Sequence, residues 1–533
     1  MIRHSTRHAT ASFLASALSL FVFGCQTGDR PPSETSGGIA VFCTGVLPDQ
    51  LDTFVTPDVT AADMRWLLFT PLVRYDSLGN GIVPWLATSW RWNAERTIAD
   101  IALRTDITWH DGRPLGAEDV VFTLRRAADP AFGYARADDV ASLTEATVTA
   151  PDTVRIRFDT PLVAEMEPFT GLPILPRHLL DTIPAERFAQ SPYHREPAGS
   201  GPFRFVERTV DGAVVLERYD AFPEALGRAS LDRLVLRGIP EPASQIIELE
   251  TGNVHACVMG SSRAADVARS GRLKALAALP AGVQVLPLDT RTPPLDDARV
   301  RRALSAALDR SELSASLSPI IRPARSFLPA GSSWSDSTMG QPDADRALAA
   351  ALLDSAGWHP AEDGIRRDAA GRPLKFTLTG PAPFRNALTA VQAQWRDAGI
   401  DVRLQFLEGA AYIAAIRDPE TRPAAMALSF YPDRLLTPDP WEQLNSRGGS
   451  NLASYRNAEV DSLTALLRTP VSDEQRAQLY RALQWRVAED VPLIYVLHAP
   501  RLLAVGPLLQ DATPDANGPF ARAHQWRIGS ADR

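Results

Sequence analysis

The chain has 533 residues, 45% hydrophobic and 22% charged, with a formal net charge of −8. That length is too great for one ordinary core and predicts two or three lobes, and the composition is that of a water-soluble globular protein. An acidic chain without a basic stripe argues against nucleic acid as a partner, and no internal stretch approaches the roughly 20 apolar residues of a membrane helix.

Arg3, His4, Arg7 and His8 make a basic start, and a largely apolar run follows from Ala9 to Phe23. That run is short for a spanning helix and has the length of a signal peptide. It ends in Val22-Phe23-Gly24-Cys25, which resembles a bacterial lipobox. Residues 1–24 are therefore read as a signal peptide and Cys25 as the lipid-modified residue that anchors the protein to a membrane; plain secretion with cleavage elsewhere is the alternative. Loss of Arg3 and Arg7 takes the formal charge from −8 to −10. Residues 25–38 are polar and rich in Pro, Gly and Ser, the composition of a flexible tether.

The spacing predicts a first strand over Gly38–Thr44, apolar on both faces and so buried on both sides. Residues from Asp63 to Phe69 are apolar at helical spacing. Ile101 and Leu103 alternate with Asp100 and Arg104, and Val154, Ile156 and Phe158 alternate in the same way, each giving a half-buried strand. Between them lies Trp109-His110-Asp111-Gly112-Arg113-Pro114-Leu115-Gly116-Ala117-Glu118-Asp119-Val120-Val121. Asp-Gly predicts a tight turn, and Glu118 and Asp119 suit the first turn of a helix whose apolar face is Val120, Val121, Leu124, Ala127 and Ala128. Further strands are predicted over 214–216 and 232–237, and a helix over 242–250. Asp296 is the expected N-cap of a helix with Val300, Ala303, Leu304, Ala307 and Leu308 inside. Helices over 345–358, 387–398 and 473–489, and a strand through Ile400, Val402, Leu404 and Phe406, complete the pattern.

Little in the chain asks for catalysis. Outside the signal segment there is no His-x-x-x-His or Cys/His cluster, which leaves a built-in zinc site without support. No Gly-x-Ser-x-Gly elbow and no Walker loop occur, and Gly199-Ser200-Gly201 is followed by neither Gly-Lys-Ser nor a helix. Neither a catalytic residue nor a cofactor is assigned.

Several of these stretches resemble, in order, the motifs of the extracytoplasmic solute-binding proteins of peptide and nickel ABC transporters, bacterial family 5. They include Trp109–Val120, Leu86-Ala87-Thr88-Ser89-Trp90, Gly199-Ser200-Gly201-Pro202-Phe203, Gly252–Ala256, Ala349–Trp358 and Ala393–Val402. The resemblance runs from about Gly38 to about Leu497. Gly116 stands where the family has Ser or Thr, and His255 where it has Asp. The implied fold is α/β, periplasmic-binding-protein-like type II, with two main lobes, an extra domain and a ligand cleft between lobes. The corresponding partition is 39–75 with 198–285 and 500–533 for lobe I, 76–197 for the extra domain (lobe II), and 286–499 for lobe III.

The implied function is capture of a peptide-like solute by a lipid-anchored, extracytoplasmic, monomeric protein that delivers it to an ABC permease, without enzymatic activity. A nickel chelate, haem or oligosaccharide as cargo, or a signalling or chaperone-like role on the same scaffold, is the alternative. The resemblance places Asp433 opposite a peptide α-amino group and offers Arg385 for its carboxylate, since no Arg lies within Thr377–Phe384. Tyr431, Trp441, Trp109 and Leu47 are the implied pocket walls. In the resembled fold the segments of Cys43 and Cys257 share a sheet, so a disulfide is open to them in an oxidising compartment; two buried thiols are the other reading.

Overall fold

The computed structural model describes residues 37–55, 58–432 and 434–529. Cys25, the signal segment and nearly all of the tether lie outside the described residues, as does Asp433. The architecture is mixed α/β, and its centre is a sheet of nine strands.

Across that sheet the strands run Leu428–Phe430, Lys274–Pro287, Leu493–Val505, Ala256–Met259, Ile39–Thr44, Arg233–Gly238, Val214–Arg218 and Phe203–Arg208. The short strand Arg322–Pro323 also pairs with Leu493–Val505. Ile39–Thr44 is parallel to both of its neighbours. Ala40 and Phe42 point into the largest core, where Phe42 stacks on Phe520 and tilts against Trp526, both at 5.3 Å between ring centroids. Cys43 faces the opposite side and is register partner of Cys257. The two are joined in a disulfide with their Cα atoms 4.4 Å apart. His255, beside this sheet, accepts a hydrogen bond at Nδ1 from the Val41 amide (3.0 Å), so its ring is a packing element of the strand edge.

Leu493–Val505 is the spine. All but one of its 13 residues are buried, because sheet neighbours and core clusters cover both of its faces. Such a run reads as mostly apolar, interrupted here by His498 and Arg501, rather than alternating.

A second, four-stranded antiparallel sheet contains Ala87–Trp92, Ile98–Leu103, Thr153–Phe158 and Leu143–Ala150. Ala99, Ile101, Leu103, Val154, Ile156 and Phe158 form its buried face, which is the alternation visible in the sequence. The helix Ala117–Ala128 begins after Gly116, whose amide donates to Asp119 Oδ2 at 3.0 Å. Asp119 thus makes the half of a capping box that reaches back to the N-cap amide, and the half that a Ser or Thr hydroxyl would make is missing at Gly116. A third sheet, parallel, joins Lys375–Pro381 to Asp401–Leu407 through the helix Arg385–Asp397. One predicted cap shifts: Asp297, not Asp296, accepts from the Arg299 amide, and the helix is Ala298–Ala306.

The Trp109 and Gly199 motifs lock together. The Gly199 amide donates to His110 Nδ1 (3.1 Å), and His110 Nε2 lies 3.1 Å from the Gly201 carbonyl oxygen. The amides of Ser200 and Gly201 both donate to the Leu68 carbonyl at 2.9 Å, closing the end of the helix Val59–Leu68. A Cβ on Gly199 would lie 1.8 Å from that oxygen. Close backbone approach explains the glycine, with no phosphate involved.

Candidate functional site

The edge strand Leu428–Phe430 pairs with Lys274–Pro287 on one side, its outer side ending the sheet. Its register sets Val283 opposite Phe430 and Gln284 opposite Ser429. Side chains alternate across a strand, so this ribbon presents an apolar and a polar face, and a cavity lies against each. The larger, of about 340 Å³, is walled by Val283, Val285 and Phe430, with residues 134–139 and 434–443 closing it. The smaller, of about 140 Å³, is lined by Ser261, Ser262, Gln284, Asn386, Ser429 and Arg501.

Tyr431 lines both cavities and is 40% exposed. Its ring lies over Gly282, where a Cβ would stand 2.9 Å from the nearest ring carbon. Gly282 is therefore what lets an aromatic ring lie flat across the ribbon.

The larger cavity carries a few convergent polar groups on a mostly apolar wall, the usual make-up of a small-molecule site. Tyr134 and Tyr495 are both buried, and neither hydroxyl has a hydrogen-bond partner among the described residues. Burial pushes the Tyr134 hydroxyl up to about 12, so it remains a neutral donor. Unsatisfied buried hydroxyls cost free energy. Asp139, 8% exposed, receives Arg136 at 2.7 Å and Arg434 at 2.6 Å. At the other end Arg468 donates to Asp439 (2.6 Å).

Beside the smaller cavity, Arg501 pairs with Asp63 of the helix Val59–Leu68. Burial raises the Asp63 carboxyl to about 6 in spite of that partner. Among the described residues, no group of three or more His, Cys, Asp or Glu side chains is placed to hold a metal ion.

Of the described residues singled out from the sequence, Tyr431 alone lines these cavities. Trp441 opens the short helix Trp441–Leu444 with the guanidinium groups of Arg468 and Arg447 over its ring (4.7 and 5.3 Å); its neighbours Pro440 and Glu442, not its own ring, face the larger cavity. Arg385 is exposed and lies over the Phe406 ring at 4.0 Å, while Phe384, Asn386 and Ala387 beside it line the smaller cavity. Trp109 and Leu47 are packing residues. Trp109 has no exposed surface, donates from Nε1 to Asp119 (3.3 Å) and accepts at its carbonyl from Tyr219 (2.6 Å). Leu47 packs on the largest core. Residues 134–139, Arg434 and Tyr495 were not legible as wall residues, because no periodicity marks a loop that reaches a cavity formed 300 residues away in the chain (Asp139 to Arg434 is a separation of 295).

Comparison with known proteins fits this geometry. Residues 81–450 match the family model described as bacterial extracellular solute-binding proteins, family 5. The oligopeptide-binding protein AppA of Bacillus subtilis is 24% identical over 531 residues, covering 94% of this chain and 95% of that protein. The solved structure of that AppA in complex with a nonapeptide superimposes with a TM-score of 0.76 at 23% identity, over 93% of this chain and 99% of that one. NikZ from Campylobacter jejuni, solved in complex with Ni(L-His), gives a TM-score of 0.77 at 21% identity, over 92% of this chain and 99% of the other.

Proposed function

Because the chain belongs to family 5 of the bacterial extracellular solute-binding proteins, we propose that its cargo is a peptide-like solute delivered to the permease of an ABC importer. The observation that carries this reading is the outer edge of Leu428–Phe430, flanked by two cavities and followed by Tyr431. An extended peptide adds to such an edge through main-chain hydrogen bonds, and alternate side chains enter the pockets on either face. In this reading Asp433 meets the α-amino group. Lobe I (39–75, 198–285, 500–533), lobe II (76–197) and lobe III (286–499) close on the solute by hinge motion, and Cys25 ties the protein to a membrane by its lipid.

The test is a thermal-shift panel of di- to nonapeptides, nickel–histidine chelates, haem and oligosaccharides. A ligand at a hundred times its Kd adds about 2.7 kcal/mol of stability, enough to move the melting point visibly. A peptide shift that disappears in Asp433→Ala is the expected result. A shift from a chelate, haem or sugar with none from any peptide overturns the peptide reading and leaves the family and fold intact.

A further inference from the structure

One carboxylate grips the segment that closes the larger cavity. Glu167 has no exposed surface. Its Oε1 accepts from the backbone amides of Leu435 (2.7 Å) and Leu436 (2.8 Å) and from the Tyr75 hydroxyl (2.7 Å). Its Oε2 accepts from the Thr437 amide (3.1 Å) and the Thr437 hydroxyl (2.7 Å). Three consecutive amides converging on one anion form a nest, and charge-assisted bonds of this kind are the strong ones. A fully buried carboxylate is tolerated only with such partners.

The gripped residues belong to the segment that gives Arg434, Pro438, Asp439 and Glu442 to the cavity. Glu167 itself lies in the short helical turn Glu167–Phe169, outside the cavity lining. The Asp139–Arg434 pair (2.6 Å) ties the gripped segment to the 134–139 wall. Moving residues 435–437 away therefore means withdrawing three amides and one hydroxyl from Glu167 at once.

We propose that Glu167 is the positioning residue of the solute site, a clasp that holds residues 435–437 in place beside the larger cavity and whose release accompanies its opening. The proposal deepens the carrier reading above and rests on it for the link to solute release. Gln is isosteric but replaces one accepting oxygen with a donor that must face either the Thr437 donors or those of Leu435 and Leu436.

The experiment measures hydrogen exchange and peptide dissociation on the full-length protein, wild type against Glu167→Gln, with a mixed-sequence nonapeptide as probe. Exchange at the amides of 435–437 is expected to rise at least tenfold, with the amides of Leu493–Val505 unchanged. Dissociation of the nonapeptide is expected to quicken by a similar factor. Unchanged exchange at 435–437, or an equal rise throughout the chain, overturns the clasp, the second outcome marking a merely structural role. Thr437→Val removes one hydroxyl bond and should move the same amides in the same direction by less, which keeps the test available if Glu167→Gln does not fold. A wild-type protein that binds no nonapeptide counts against the peptide reading, while the exchange measurement still decides whether Glu167 holds the wall.

Discussion

Lowering the pH from 7 to 5 should cost this protein a large part of its stability, through three buried histidines. His110, His498 and His524 are each pulled down to about 4, in every case chiefly by burial. The His110 geometry agrees: Nδ1 accepts from Gly199 and Nε2 meets the Gly201 carbonyl, so a second ring proton would face an N–H. A histidine held neutral in the fold is protonated first in the unfolded chain. Its contribution is therefore complete above the unfolded value of about 6.5 and is lost as the pH falls from there towards the folded value. At pH 5 each such residue costs about 2 kcal/mol, and the three together about 6. Asp63 works the other way. With its carboxyl raised to about 6, the fold takes up its proton before the unfolded chain does, returning about 1 kcal/mol at pH 5. His194, raised overall by its Asp52 partner against the opposing effect of burial, adds to that return. The three histidines less Asp63 leave a net loss of about 5 kcal/mol, which His194 reduces, and that is a large share of the 5–15 kcal/mol typical of a folded protein. Urea unfolding at pH 7, 6 and 5 reads it as a falling midpoint at constant slope. Stability that stays level to within about 1 kcal/mol over this range would refute the reasoning, and His498→Leu should remove about 2 kcal/mol of the dependence.

Two further perturbations test the site and its scaffold. Gly282→Ala places a methyl 2.9 Å from the Tyr431 ring and should lower solute affinity about tenfold while costing the fold only about 1 kcal/mol. In a Tyr431→Ala background the same substitution should have little further effect, and an undiminished effect there would show that the ring is not what the methyl displaces. Removing the Cys43–Cys257 bond, which spans 214 residues, should destabilise the protein by about 2–5 kcal/mol on loop-closure grounds. A Cys43→Ala/Cys257→Ala double variant melting within a degree of the oxidised wild type would contradict that.

How far the sequence reaches is clearest in the strands. Ile101 with Leu103, and Val154 with Ile156, are legible because one face is buried and one wet, so the period of two survives in the residue types. Leu493–Val505 is buried on both faces and carries no such period, so its role as spine follows only from its pairing on both sides. Single motifs were misleading as to site. Trp109 and Leu47 stand in motif-like stretches, yet both serve packing. Trp109 belongs to the turn whose His110 grips the Gly199 loop. Arg385, sought as an anion partner, instead lies over Phe406, at the start of a helix whose next residues line the smaller cavity.

The wall of the larger cavity shows why binding specificity resists reading from one dimension. Its parts come from a loop at 134–139, one face of a strand near 283–285, a segment at 434–443 and the spine at 493–495. None has enough local character to declare a site, because each is folded by contacts elsewhere: Arg434 by Asp139, residues 435–437 by Glu167, and Tyr495 by its strand partner Val285. A buried Glu such as Glu167 has no pattern of its own in the sequence, since its partners are backbone amides, which every residue but proline supplies. What the fold can vary at low cost is therefore the side chains of these segments, and the same scaffold can take different solutes without altering the motifs that identify it. By that argument, exchanging partly exposed wall residues such as Tyr431 or Gln443 should change which solute is held and leave the melting temperature of the free protein nearly untouched, whereas a change at Glu167 should alter how long any solute is held.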